Sequence, residues 1–236
     1  MDETITQLRQ TLHQQAEENR QVSGQRYFKE AVKTYGVKTA DVTTIGKTFY
    51  ETIKNKEKSE IIKYCENLWQ SGYLEESFIA CNWSYYLHPH YVEADLHVFQ
   101  KWLNEYVDNW ASCDTLCNHT VGIYLDLFPH MVTVLKEWAV SENRWLRRAS
   151  AVSLIIPARN GKFQKEVLEI ATILLTDGED LVQKGYGWLL KVSSQFETEP
   201  VFDFVMAHKA IMPRTALRYA IEKMSPELRN EAMKRD

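Results

Sequence analysis

The apolar residues of this chain recur at the three- and four-residue spacing of an α-helix along nearly its whole length. Two segments show the pattern most clearly, one from Ser141 to Pro157 and one beginning at Glu179. Their apolar positions are Trp145, Ala149, Val152 and Ile156 in the first, and Leu181, Gly185, Trp188 and Val192 in the second. Such spacing gives each helix one apolar stripe. No convincing run alternates with a period of two, so the sequence predicts an all-α protein.

Further candidate helices fill most of the chain, and its few glycines and prolines fall mostly between them. They span residues 2–17, 39–53, 56–71, 75–86, 92–103, 109–126, 130–139, 162–175, 198–208 and 213–223. Trp69, Trp102 and Trp138 lie 33 and 36 residues apart, which is typical of stacked helix pairs. We therefore expect one HEAT-like repeat domain over residues 1–236, an α-solenoid curved around a concave basic groove. A compact helical bundle is the alternative.

The composition bounds the class of protein. The chain is 44% hydrophobic and 25% charged, which is ordinary for a globular protein. No apolar run is long enough for a transmembrane helix. The acidic start, Met1-Asp2-Glu3-Thr4, differs from a signal peptide. The four cysteines favour reduced thiols over a disulfide framework. These features predict a cytoplasmic protein, and we expect a monomer that does not bind membranes.

Charge is distributed unevenly along the chain. The formal net charge is −4, yet the segment from Asn143 to Lys165 holds six basic residues and no acidic one. The basic residues are Arg144, Arg147, Arg148, Arg159, Lys162 and Lys165. This segment predicts either a polarised surface for an anionic partner or an ordinary solvated helix face with its loop.

Trp110 and Asp114 stand four residues apart at the start of a predicted helix, so they share one face. Val107 and Cys117 make that face otherwise apolar. A carboxylate there is either a reactive group or a structural one that caps a helix or pairs with an arginine. From periodicity alone, Trp110 and Trp188 are more typical of core residues.

Four sequence blocks, in order, resemble the DNA alkylation repair family of AlkD-like, HEAT-repeat DNA glycosylases. They are Trp110-x-x-x-Asp114, Asn143-Arg144-Trp145-Leu146-Arg147-Arg148-Ala149, Gln183-Lys184-Gly185-Tyr186-Gly187-Trp188-Leu189-Leu190-Lys191 and Met212-Pro213-Arg214-Thr215-Ala216-Leu217-Arg218-Tyr219-Ala220. A fainter match continues upstream through Arg26-Tyr27-Phe28-Lys29 and Tyr35-Gly36-Val37-Lys38. The resemblance covers nearly the whole chain.

The resemblance implies a protein that binds double-stranded DNA and excises cationic alkylated purines such as 3-methyladenine and 7-methylguanine, without a cofactor or metal. Asp114 matches the catalytic aspartate of the family. Trp110, Trp188 and Tyr27 match positions that contact the lesion. The DNA backbone would be held by Arg148 first, and then by Arg147, Lys184, Lys191, Arg214 and Arg218.

Three departures from the family pattern support other functions. Ala111 replaces a second aspartate, Lys191 replaces an arginine, and the stretch 28–37 is more polar than in family glycosylases. Lysine keeps the charge but loses the bidentate geometry of arginine. The alternatives are a DNA-binding paralogue without excision activity and a HEAT-type protein-interaction scaffold, which the negative net charge favours.

Two clusters of potential metal ligands are weaker candidates. Cys113, Cys117 and His119 lack a recognised zinc spacing, so buried thiols are the favoured interpretation. The second cluster, formed by His88, His90, Asp95 and His97, surrounds a predicted inter-helix loop.

Overall fold

A computed structural model describes residues 3–234, which form α-helices joined by short turns, with no strand in that range. This confirms the all-α prediction. The chain divides after Thr120 into two compact units. The single domain, the curvature and the basic groove stay predictions. Met1 and Asp2 belong to the acidic start, and Asp2 is also the first residue of the candidate helix 2–17. Both residues lie outside the described range.

The first unit contains seven α-helices among its described residues. They are α1 (Glu3–Gln14), α2 (Glu18–Gln25), α3 (Thr39–Ile53), α4 (Lys58–Trp69), α5 (Leu74–Tyr86), α6 (Asp95–Glu105) and α7 (Trp110–Thr115). The segment His88–His90 forms a 3-10 turn. Helix α5 is central, because it packs against α3, α4 and α7. Its apolar residues are therefore buried on several sides and show little amphipathic periodicity.

Two buried carboxylates at the start of α5 hold the N-terminal segments in place. Glu76 accepts hydrogen bonds from the Arg9 guanidinium at 2.8–3.1 Å and from the Tyr35 hydroxyl at 2.7 Å. The hydrogen bond with Glu76 raises the pKa of Arg9. Glu75 accepts from the backbone N–H groups of Tyr35, Gly36 and Val37. These contacts join α1 and the segment before α3 to α5.

The second unit begins inside a π-helical turn, Leu116–Val121, that follows α7. Its helices are α8 (Gly122–Leu127), α9 (Val134–Ala139), α10 (Arg144–Val152), α11 (Ile155–Arg159), α12 (Gln164–Ile173), α13 (Asp180–Ser193), α14 (Thr198–His208), α15 (Arg214–Ala220) and α16 (Pro226–Met233), with a 3-10 turn at Pro129–Thr133. Helix α13 is central and packs against α10, α11, α12 and α15.

Most predicted helices match the structure within a few residues, but some boundaries were wrong. Helices α2 and α16 were not predicted. The segment 141–157 forms two helices, α10 and α11. Pro157 would break the interior of one long helix, but it lies in the first turn of α11, where its missing N–H costs no hydrogen bond. The segment 109–126 is interrupted by the π turn. No helix within residues 3–234 has the length and apolar character needed to cross a membrane.

Candidate functional site

Helix α7 begins at a defined residue. Asn109 is its N-cap, with extended backbone angles, and its side-chain oxygen accepts a hydrogen bond from the Ser112 N–H at 3.0 Å. The Asn109 amide donates to the Asp108 carboxylate at 2.8 Å. An N-cap satisfies one of the unpaired N–H groups at a helix start. Trp110 is therefore the first residue of the helix, which fixes where its indole leaves the backbone.

Trp110 and Asp114 lie on one face of α7, as predicted from their spacing. Both are half-buried, whereas Ala111, Ser112 and Cys113 between them are buried. The pair lies at the edge of the apolar stripe of α7, with neither side chain fully in the core. Trp110 therefore lies partly against the core and partly at the surface.

The segment after α2 holds the Trp110 indole. The Trp110 Nε1–H donates to the Tyr27 carbonyl at 3.1 Å. The Phe28 ring stacks on the indole, with ring centroids 5.4 Å apart and planes 22° from parallel. Tyr27 itself is 77% exposed. Sequence reasoning placed Tyr27 near the lesion but missed Phe28, since the register of two distant segments carries no local pattern.

Gln25 fixes the shape of this segment. Its amide nitrogen donates to the Glu30 carbonyl at 2.7 Å, and its amide oxygen accepts from the Val32 N–H at 3.0 Å. These two hydrogen bonds close a loop around Tyr27 and Phe28. The loop thus presents the Tyr27 carbonyl and the Phe28 ring to Trp110 in a defined conformation.

Trp188 belongs to the second unit, where it is half-buried on α13. Its indole makes no hydrogen bond or ring contact with another residue in the described range. The glycine before it allows close helix packing, because a Cβ on Gly187 would lie 2.8 Å from the Tyr219 Cβ and 2.9 Å from the Ala216 carbonyl oxygen of α15. Helix α13 therefore presents Trp188 from a rigid base.

Arg148 was predicted to be the leading phosphate contact, and the structure buries it to 5% exposure. Its guanidinium donates to the Leu181 carbonyl at the start of α13. Its alkyl chain lies against Gly185, where an added Cβ would come within 3.4 Å of the Arg148 Cγ. This burial favours a role in packing α10 against α13, and the DNA contact of Arg148 stays a prediction.

Most of the other basic residues between Asn143 and Lys165 form ion pairs with acidic residues outside that segment. The pairs are Arg147–Asp177 at 2.6 Å, Arg144–Glu179 at 3.6 Å, Lys162–Asp126 at 3.1 Å and Lys165–Glu169 at 3.7 Å. Arg147 also donates to the carbonyls of Ser141 and Glu142. The segment is thus far less positive in its folded surroundings than its sequence indicates, and Arg147 is not a freely solvated charge.

The two lysines of α13 also have acidic partners. Lys184 pairs with Asp180 at 2.8 Å. Lys191 pairs with Glu222 at 3.0 Å and lies over the Tyr219 ring, 5.4 Å from its centroid. Both lysines would have to exchange a carboxylate for a phosphate in order to hold DNA.

Arg214 and Arg218 are different. They lie four residues apart on α15, and both are exposed. Neither forms an ion pair or a side-chain hydrogen bond within residues 3–234. Arg214 also lines a cavity of about 510 Å³ with Lys209 and Lys234, and no acidic residue lines that cavity within the described range. Of the predicted backbone contacts, these two arginines are the most available.

The sequence model of the DNA alkylation repair enzyme family matches residues 8–224. The chain belongs to this family. Among solved structures, it is similar to one described as a predicted DNA alkylation repair enzyme from Enterococcus faecalis. The TM-score is 0.81 and the sequence identity is 16%, over 90% of this chain and 98% of that one. At that identity the likeness shows the fold alone. Comparison with curated protein sequences gives no match.

Ala111 stands at the position where the resemblance predicts a second aspartate. It is 9% exposed, so its side chain points into the apolar interior of the first unit. Cys113 and Cys117 are buried free thiols, and no group of three or more His, Cys, Asp or Glu residues between positions 3 and 234 is arranged to hold a metal.

Proposed function

We propose that this protein binds duplex DNA and hydrolyses the N-glycosidic bond of cationic alkylated purines such as 3-methyladenine and 7-methylguanine. The observation that supports this proposal is the pairing of Trp110 with Asp114 on one partly exposed face, in a chain that belongs to the DNA alkylation repair enzyme family. The resemblance assigns the catalytic role to Asp114.

The chemistry suits a carboxylate. When the glycosidic bond breaks, its electron pair goes to the purine and neutralises the positive charge that alkylation placed there. The sugar carbon is left with oxocarbenium character, which a nearby carboxylate stabilises. A water molecule then adds to that carbon and gives up a proton. We assign to Asp114 both the electrostatic stabilisation and the orientation of this water.

Trp110 would contribute by holding its indole against the cationic lesion or its sugar. Cation–π contacts contribute about 0.5–2 kcal/mol. The hydrogen bond to Tyr27 and the stack with Phe28 fix the orientation of the indole, so little ordering is needed when DNA binds. Trp188, in the second unit, is proposed as a separate DNA contact on the strength of the resemblance and its partial exposure.

Phosphate contacts are proposed first for Arg214 and Arg218. Exposed arginines can direct their N–H groups to phosphate oxygens without breaking an existing pair. Arg147, Arg148, Lys184 and Lys191 are proposed only as secondary contacts, because each already has a partner in the folded protein.

The test measures release of 7-methylguanine from methylated duplex DNA by the purified chain, at enzyme excess. We expect release by the unaltered protein and a loss of at least about 100-fold in Asp114→Asn. Duplex affinity should change little in that variant. Asp203→Asn is the matched control, because Asp203 is an exposed carboxylate on α14 far along the sequence from α7. Equal activity of Asp114→Asn and the unaltered protein would exclude Asp114 as the catalytic group.

A DNA-binding paralogue without excision activity is the second candidate. It is favoured by Ala111, which stands where the resemblance predicts a second carboxylate. In that case the unaltered protein binds duplex DNA with an affinity that falls as salt rises, but releases no base. Absence of duplex binding even at low salt would leave the protein-interaction scaffold.

A further inference from the structure

A cavity in the first unit, here called the N-terminal cavity, has no role in the function proposed above. Its volume is about 680 Å³, and it lies among α2, the segment 34–38 and the starts of α3 and α5. Pockets of roughly 300–1,000 Å³ are typical of small-molecule sites. The cavity is therefore much larger than a single phosphate or a metal ion requires.

The exposed part of its lining is basic. Arg26 and Lys38 are both exposed, and neither has an ion pair or a side-chain hydrogen bond within residues 3–234. A third basic residue, Arg20, pairs with Glu17 at 2.6 Å.

One carboxylate, Glu75, also lines the cavity, but it is buried and fully engaged. It accepts hydrogen bonds from the Thr34 hydroxyl and from the N–H groups of Tyr35, Gly36 and Val37 at 2.6–3.1 Å. Four donors share its negative charge. The groups left to meet a ligand are the guanidinium of Arg26 and the ammonium of Lys38.

The deeper part of the lining is apolar. Val42 is buried, and Leu74 and Phe78 are half-buried. Tyr27, whose side chain is aromatic and largely exposed, also lines the cavity. Exposed cations combined with an apolar interior and an aromatic ring suit a molecule that joins an anion to a flat, weakly polar ring. A nucleotide has this combination, because its phosphate is anionic and its base stacks on aromatic side chains.

The cavity is linked covalently to the Trp110 contact. Arg26 and Tyr27 line the cavity, and the next residue, Phe28, stacks on the Trp110 indole. The Tyr27 carbonyl accepts the indole N–H. Three consecutive residues thus connect an occupant of the cavity to the indole beside Asp114, all within the first unit.

We propose that the N-terminal cavity holds one nucleotide of a DNA strand, with its phosphate against Arg26 and Lys38 and its base over Val42, Leu74 and Phe78 beside Tyr27. The proposal rests on the proposed function, since it takes DNA as the ligand. It adds a nucleotide site to a protein whose lesion contact is assigned to Trp110. An occupied cavity also holds the Tyr27–Phe28 segment in place against the indole.

The first experiment measures duplex affinity against salt concentration for the full chain. In the Arg26→Ala/Lys38→Ala double variant, we expect the salt slope to fall by about two and the affinity to drop about 10- to 100-fold near 0.1 M salt. The matched control is Lys47→Ala/Lys63→Ala, which removes two exposed lysines of the same unit that lie outside the cavity lining. The control should keep the slope and affinity of the unaltered protein.

A second variant tests the volume of the cavity without changing charge. Thr39 is exposed and lines the cavity, so Thr39→Trp fills it with little disturbance of the core. We expect this variant to lose affinity as the double variant does. A duplex that carries 5-iododeoxyuridine should, on irradiation, crosslink to the peptide that contains Tyr27.

The outcomes distinguish a failure of the cavity proposal from a failure of the proposed function. If the unaltered protein binds DNA, but both double variants behave alike and no crosslink reaches Tyr27, the cavity proposal alone fails. If the unaltered protein binds no duplex at low salt, both proposals fail. Calorimetry then measures how tightly the unaltered protein binds deoxyadenosine 5′-monophosphate and inorganic phosphate in the absence of DNA. Tight binding of the free nucleotide, with DNA affinity unchanged in Arg26→Ala/Lys38→Ala, would assign the cavity to a free nucleotide and overturn the DNA-strand proposal.

Discussion

Two basic regions of the second unit look alike in sequence and differ in the folded protein. Between Asn143 and Lys165, Arg147 and its neighbours pair with acidic residues from other segments, and Arg148 is buried. On α15, Arg214 and Arg218 are exposed and have no such partners within residues 3–234. The charges of the first region are mostly engaged in ion pairs within the unit, while the two charges of the second region are exposed. A count of basic residues therefore does not measure the charge available to DNA.

The largest expected effect comes from breaking the ion pair between Arg147 and Asp177, the best-buried pair among the described residues of the second unit. Arg147→Ala leaves Asp177 without its partner at 2.6 Å and frees two backbone carbonyls. We expect a loss of about 2–4 kcal/mol in the free energy of unfolding, measured by denaturant titration. Arg144→Ala is the control, since its pair with Glu179 is longer and more exposed, and should cost below about 1 kcal/mol. Equal losses in the two variants would contradict the comparison.

The next effect concerns the unpaired arginines. Arg214→Ala/Arg218→Ala should leave unfolding within about 0.5 kcal/mol of the unaltered protein, because both side chains are exposed. Its duplex affinity should fall, with the salt slope reduced by about two. Fluorescence anisotropy at several salt concentrations measures this. A normal slope in this variant would show that α15 does not contact phosphate.

The first unit also holds a carboxylate with several donors, Glu66, whose contribution to stability depends on pH. Burial alone would raise the pKa of Glu66, but hydrogen bonds from Lys101, Tyr106 and Trp102 outweigh it and lower the pKa below its ordinary value of 4.5. The folded state therefore binds this proton less readily than the unfolded state, so the stabilisation is present above pH 4.5 and is lost as the pH falls through the lowered pKa.

Glu66→Gln should accordingly be less stable at pH 7 and lose less stability on acidification. Thermal unfolding measured between pH 7 and pH 3 tests this. Glu60→Gln is the control, since Glu60 is an exposed carboxylate of the same helix with a single, longer pair to Lys56 at 3.5 Å. Parallel pH profiles for Glu66→Gln and the unaltered protein would show that the three donors do not lower the pKa of Glu66 enough to stabilise the fold.

The smallest effect is expected at an exposed pair. Lys162 is half-exposed and pairs with Asp126 at 3.1 Å. Lys162→Ala should change the free energy of unfolding by about 0–1 kcal/mol. If this pairing leaves Lys162 unavailable to DNA, the duplex salt slope should also stay unchanged. A slope reduced by about one would return Lys162 to the set of phosphate contacts.

Local features of the site could be predicted from sequence. The four-residue spacing of Trp110 and Asp114 and the helix that carries them follow from periodicity, and the structure places both on one face of α7. The stack of Phe28 on Trp110 could not be predicted, because the two segments are far apart in the sequence. Tyr27, whose carbonyl accepts the hydrogen bond from the indole, precedes Trp110 by 83 positions. The buried carboxylates Glu75 and Glu76 were missed because charged residues at a helix start usually face solvent.

The sequence by itself determined the helical class and membership of the DNA alkylation repair enzyme family, because both depend on residue patterns along the chain. It also determined the common face of Trp110 and Asp114, since helix geometry acts over a few residues. Only the tertiary structure decided which charges are available. Arg147 meets Asp177 across 30 residues, and Arg148 reaches the Leu181 carbonyl across 33. Ion pairing and burial depend on distance in space, which helix periodicity does not specify.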